Sequence, residues 1–330
     1  MKKELFHIGE FNLELGGRLQ GLNLVYHSSN VKQPRKVVWI FHALTGSSNP
    51  YQWWNDLLKQ ASWIDPALDL IICANLLGSC YGTNWSKAEE NEEETLIPFI
   101  TVRDNVNAFC LLANHLGIEK IDIGIGGSLG GSQLLEWNIK DPFLFDKIIL
   151  IACGAKESTW AKAAHYIQRR ALENDQYFKA GDFENAHEGL KTARSVGMLT
   201  YRSHDCYEKF QADCHQTVRD FKVESYLKHQ ENKFIERFNP LSYYLLSQTL
   251  DTHSIARDRG TSFAVVLNQI LAKSLIIGIE SDMLCPIQDQ LFMHKHIKNS
   301  TFESIESVYG HDGFLVESQK INEIITTFLN

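Results

Sequence analysis

A chain of 330 residues, 44% hydrophobic and 22% charged, is long for one compact core and short for two ordinary domains, so one large domain carrying an insertion is expected. That composition excludes a chain dominated by disorder, because enough apolar surface is present to offset the entropy of ordering. A formal net charge of -8 without clustered Lys and Arg excludes a polyanion-binding surface, and with it a nucleic-acid partner.

In chain order, MKKELFHIGEFNLELGG begins with lysines at positions 2 and 3 but has no apolar run behind them, and no later stretch reaches the length of a membrane-spanning helix. The expectation is a soluble, cytoplasmic protein with no export signal and no membrane partner. From residue 37, VVWIFHALTG reads as a buried strand ending in a Gly-containing loop, and LDLIICANLLG from Leu68 reads as a second strand. The acidic run AEENEEE at 88–94 suggests an exposed loop or helix start. Helical spacing over Val102 to Leu116 precedes the short apolar run IDIGIGG at Ile121, the helical stretch SQLLEWNIK, and the strand pattern KIILIACGA at 147–155. Beyond Ala155 the texture becomes helical up to about Gly260: Val223, Tyr226, Leu227, Phe234, Ile235 and Phe238 fall mainly on one helical face. Strand character returns in KSLIIGIESD at 273–282 and more weakly in FESIESVYGHD at 302–312.

Apolar strands alternating with helices predict an α/β fold with a mostly parallel central sheet flanked by helices. Residues 1–155 and 265–330 form the expected core. Residues 156–264 form an inserted helical lid, covering the strand ends where ligands bind in such sheets. Cys73, Cys80, Cys110, Cys153, Cys206, Cys214 and Cys285 are scattered, with no C-x-x-C pair. They are expected as reduced thiols, with no metal site.

Gly126-Gly127-Ser128-Leu129-Gly130 is a G-x-S-x-G match between a strand pattern and a helix pattern. A serine acting as a nucleophile must stand exposed on a tight strand-to-helix turn, and flanking glycines permit that turn. On its own the pentapeptide is equally a glycine-rich turn, so its partners decide. An α/β-hydrolase fold requires the chain order Ser, acid, His. Asp282 directly follows the apolar run LIIGIES, and His311 lies in a Tyr-Gly-His-Asp-Gly loop after the last strand pattern. Ser128, Asp282 and His311 are therefore the expected triad, with His311 the general base and Asp282 its orienting anion. The backbone N–H groups of Leu129 and of Leu44, in the HALTG loop at 42–46, are the expected oxyanion donors.

HALTG, the Trp pair at 53–54, ICANLLGSCYGT at 72–83, ITVRDNV at 100–106, GGSLGGSQLLEW at 126–137, TYRS at 200–203, VESYLKHQENKFIERF at 223–238 and YGHDGFLVE at 309–317 together cover most of the chain. In these motifs the sequence resembles the homoserine O-acetyltransferases of methionine biosynthesis and their serine and homoserine acyltransferase relatives. The resemblance implies acyl transfer from an acyl-CoA, acetyl-CoA or succinyl-CoA, to an amino-acid hydroxyl through an acyl-serine. It also implies acceptor-binding roles for Arg194, Tyr201 and Asp312, with Arg194 suited to a carboxylate and Asp312 to an ammonium, and a homodimer built through the lid. After GSCYGT the chain departs from the family's Gly-Pro and Ser-x-Asn-Pro loop, and Leu129 stands where Met is commoner. Two alternatives stay open: a serine or homoserine O-succinyltransferase, and an ester hydrolase using the same triad on water.

Overall fold

The computed structural model describes residues 1–86, 97–214 and 218–330. The acidic run at 88–94 lies outside them. One sheet organises the molecule. Its strands are β1 (Lys2–Asn12), β2 (Arg18–Ser28), β3 (Val37–Phe41), β4 (Leu70–Ala74), β5 (Asn84–Ser86), β6 (Ile121–Gly127), β7 (Phe145–Ile151), β8 (Lys273–Ile279) and β9 (Ser300–Ile305). They run in the order β1-β2-β4-β3-β6-β7-β8-β9, with β5 paired to β2. From β4 to β9 every pairing along this order is parallel, whereas β1, β2 and β5 add an antiparallel edge.

The central parallel strands β3, β4, β6, β7 and β8 are mostly apolar because both of their faces are covered. In β3 the alternation sends Trp39 and Phe41 to one face and Val38 and Ile40 to the other. On the first face Trp39, Phe41, Phe109, Trp137 and Phe145 form a cluster in which Trp137 meets Trp39 edge-on at 4.9 Å. On the second, Val38, Ile40, Ile125 and Ile277 pack with Ile321 and Ile325 of the C-terminal helix Ser318–Leu329. Each such fully buried side chain contributes about 1.5–3 kcal/mol of burial free energy.

Between β7 and β8 the chain is helical, in Thr159–Asn174, His187–Tyr201, His204–Gln211, Lys222–Ile235 and Pro240–Asp251 with shorter pieces between. Ser158, Ser203 and Asn239 cap three of these helices by accepting a backbone N–H. Among the described residues no helix is long and apolar enough to cross a membrane, and the cysteines are free thiols. The sequence pattern did not reveal the two N-terminal strands, nor the helices Ile287–His296 and Ser318–Leu329.

Candidate active site

Ser128, Asp282 and His311 follow β6, β8 and β9, so all three sit at the carboxyl ends of parallel strands. Ser128 occupies φ 54°, ψ -128°, a conformation costly to a side-chain-bearing residue by roughly 1–3 kcal/mol. It is held there between the Ile151 carbonyl, which its N–H meets at 2.9 Å, and the start of the helix Leu129–Lys140. The glycines allow the turn by close approach: a Cβ on Gly126 would lie 2.5 Å from the Gly130 backbone, and one on Gly130 would lie 2.2 Å from the Phe41 carbonyl oxygen.

The Ser128 hydroxyl lies 2.9 Å from His311 Nε2, and His311 Nδ1 lies 2.6 Å from Asp282 Oδ2. With the carboxylate accepting from Nδ1–H, the Nε2 lone pair faces the hydroxyl and can take its proton. Asp282 is anchored in turn, its Oδ1 accepting from the N–H groups of Leu284 and Cys285 at 2.8 and 2.9 Å. Burial pushes the His311 pKa down, but the charge and hydrogen bond of Asp282, helped by Asp312, outweigh it and leave the imidazole above its ordinary value. Cys285 brings its sulfur near Asp282 and His311. Both ring nitrogens of His311 are engaged within the triad, Nε2 by Ser128 and Nδ1 by Asp282.

Leu129 is the first residue of its helix, so its N–H has no intrahelical acceptor. The HALTG loop packs against this helix start, where Gln133 Nε2 donates to the His42 carbonyl. His42 holds the loop: its Nε2 accepts from the Leu76 N–H at 3.1 Å, which assigns the proton to Nδ1, and Nδ1 donates to the Ala43 carbonyl at 2.8 Å. Burial lowers its pKa to about 4, so it stays neutral. The Leu44 side chain is buried and anchors the same turn.

A cleft of about 550 Å³ lies between the 43–53 segment and the helix Lys222–Ile235, with Trp53, Tyr81, Arg194, Lys233 and Arg237 in its walls. The Arg194 guanidinium lies over the rings of Phe234 and Tyr201, at 4.8 and 5.6 Å, and the Tyr201 ring is 6.4 Å from that of His311. Asp312 forms an ion pair with Arg202, Nε to Oδ2 3.0 Å. Thus Tyr201 and Asp312 stand beside the His311 imidazole, and Arg194, seven residues before Tyr201 on the same helix, lies over the Tyr201 ring. Sequence reasoning missed Arg202 and His42 as site residues, although both lie inside motifs that carry the family resemblance. It also missed Glu157, which borders a small cavity with Ser128 and whose pKa burial, helped by Asp251 and Asp289, pushes up to about 8.

A nucleophile on a strained turn, a base and its anchored anion at the ends of a parallel sheet define an α/β-hydrolase-fold enzyme working through a Ser-His-Asp triad. In agreement, residues 36–318 match the family model described as the alpha/beta hydrolase fold. The chain is 37% identical to the homoserine O-acetyltransferase of Cyclobacterium marinum over 99% of its own length and 95% of that protein's. The crystal structure of the Staphylococcus aureus homoserine O-acetyltransferase superposes with a TM-score of 0.81 at 30% identity, covering 100% of this chain and 95% of that one. An acetylester hydrolase from Corynebacterium glutamicum shares the fold, with a TM-score of 0.84 at 21% identity and coverage of 100% and 96%. The chain belongs to the homoserine O-acetyltransferase family.

Proposed function

We propose that the protein transfers an acetyl group from acetyl-CoA to the side-chain hydroxyl of homoserine, in two half-reactions through acetyl-Ser128. In the first, His311 Nε2 takes the Ser128 proton as Oγ attacks the thioester carbonyl; the C–S bond breaks and the thiolate leaves with that proton. In the second, His311 takes the acceptor's hydroxyl proton, the new ester forms, and the proton returns to Ser128. The N–H groups of Leu44 and Leu129 stabilise the oxyanion in both steps. The observation that carries the reading is the charge layout near His311: Arg194, over the Tyr201 ring that neighbours the imidazole, and Asp312, next in the chain to His311, suit the carboxylate and ammonium of an amino acid, and water has no need of either. Acetyl as the acyl group and homoserine as the acceptor follow the names of the relatives.

In this reading residues 156–264 are a lid on the core of 1–155 and 265–330, and the donor enters by the cleft beneath it. Trp160, Ile167 and Leu199, each more than half exposed on lid helices, support a homodimer formed through that surface.

Separating the half-reactions tests the assignment. Arg194→Lys is expected to leave thiol release in the first turnover unchanged and to slow homoserine-dependent decay of the acyl-enzyme by about tenfold or more, because a lysine lacks the fork that holds a carboxylate through two bonds. An acyl-enzyme whose decay in the wild type is indifferent to every amino acid supplied identifies an ester hydrolase instead.

A further inference from the structure

Asp312 is the carboxylate that meets the acceptor's ammonium in the function proposed above, and the role inferred for its neighbour Arg202 rests on that reading. The Asp312 side chain is only 17% exposed. A carboxyl so placed takes up a proton unless cations hold it ionised. The charged groups facing it come from four segments: Arg194 from the helix His187–Tyr201, Arg202 from just beyond that helix, His311 from its own loop, and Asp282 from the loop after β8. The hydroxyls of Tyr201, Tyr207 and Tyr226 and the thiol of Cys206 complete its surroundings. Burial raises the Asp312 pKa, Asp282 adds to that, and among the cations opposing it Arg202 acts most strongly. Arg194 is reserved for the acceptor's carboxylate, and His311 must be neutral to act as the base, so in the reactive state it offers Asp312 no charge until it takes a proton in turnover. Arg202 alone offers Asp312 a permanent, directly paired charge.

Arg202 is also held in place by contacts that do not involve Asp312. Its guanidinium lies over the Tyr309 ring at 5.5 Å, and that ring stacks on Phe210 at 5.8 Å, nearly parallel. The neighbouring Ser203 hydroxyl donates to the Val308 carbonyl at 2.5 Å. Gly310, at φ 66°, brings the His311 loop so close that a Cβ there would lie 2.6 Å from the Ser203 nitrogen.

We propose that Arg202 is a positioning residue for acceptor selection: by keeping Asp312 an anion it makes the second half-reaction selective for a hydroxy compound bearing an α-ammonium. Acylation of Ser128 does not need Asp312 and is not expected to depend on Arg202. Protonating His311 slows both half-reactions; protonating Asp312 weakens only the use of an amine-bearing acceptor.

The test follows both half-reactions from about pH 6 to about pH 9 with acetyl-CoA as donor. Thiol release in the first turnover reports acylation. Decay of acetyl-Ser128 is measured with homoserine and with 4-hydroxybutanoate, the same hydroxy acid without its amine. In Arg202→Gln acylation is expected to stay within about twofold of wild type, while the homoserine KM rises at least about tenfold near pH 6 and recovers as pH rises. Preference for homoserine over 4-hydroxybutanoate is expected to fall by a similar factor, and Arg202→Lys to restore most of it. A KM–pH profile and a preference unchanged in Arg202→Gln overturn the proposal. So does joint loss of acylation and acceptor use in both variants, which reduces Arg202 to a latch on the His311 loop. Failure of the function proposed above has a separate signature, a wild-type acyl-enzyme that decays as fast without an amino acid as with one.

Discussion

The pair His311 and Asp282 sets how the enzyme answers to pH. Acting as a base requires a neutral imidazole, and the wild-type imidazole protonates above 6.5 because the Asp282 anion overcomes burial. Acylation is therefore expected to fall away on the acid side at a pH above that ordinary value. Asp282→Asn removes the charge and leaves the burial. Its residual rate is expected to be lower by about 10⁴-fold, since the imidazole is no longer held in its working tautomer. Its acid limb should lie below that of the wild type. Acylation rates against pH for the two proteins check both statements, and an acid limb that does not move removes Asp282 as the source of the shift. Ser128, Asp282 and His311 were legible in the sequence because chain order and strand context restrict the choice. Arg202 was not, because its importance comes from a carboxylate 110 positions away, at Asp312, which no local pattern announces.

Among the elements, legibility followed burial. β3, β6, β7 and β8 are covered on both faces and read as apolar runs. β9, an edge strand with half of its residues exposed, gave only a weak pattern. β1 is also an edge, and register shifts around Gly9 break its alternation, so the period that marks a half-buried strand is lost. The turn from β6 into its helix was legible from glycines alone, and it carries its own test. Alanine is a better helix former than glycine by roughly 1 kcal/mol. Gly130→Ala is nevertheless expected to lower stability by about 1–3 kcal/mol and acylation by more than about tenfold, because the added methyl must displace the Phe41 carbonyl and with it the turn that bears Ser128. Thermal unfolding and first-turnover thiol release measure the two effects. A variant as stable and as fast as the wild type means the helix start can shift without moving the nucleophile.

At the scale of the whole molecule, the N-terminal hairpin, the sheet-flanking helices and the end of the helical segment are joined through Glu14, in the turn between β1 and β2. Its carboxylate accepts from Arg103 at 2.9 Å, from Arg257 at 2.8 Å and from the Thr101 hydroxyl at 2.7 Å, and its N–H donates to Asp104. Arg103 and Arg259 then converge on Glu136. Burial raises the Glu14 pKa, yet the bonds from Arg257, Thr101 and Arg103 prevail and hold it below the usual 4.5. A depressed carboxyl pKa stabilises the folded state above the unfolded value and loses that contribution as pH falls through the folded one. Glu14→Gln is thus expected to cost about 2 kcal/mol near neutral pH, less than a fully buried pair because the site is partly open to water and Arg103 keeps Glu136. The deficit should shrink as pH drops below about 4.5, where the wild-type carboxyl is itself neutralised. Urea midpoints for the two proteins across that range decide the matter. A deficit that persists unchanged into acid would show that the variant loses packing and hydrogen-bond geometry, and that the charge of Glu14 does not hold the three elements together.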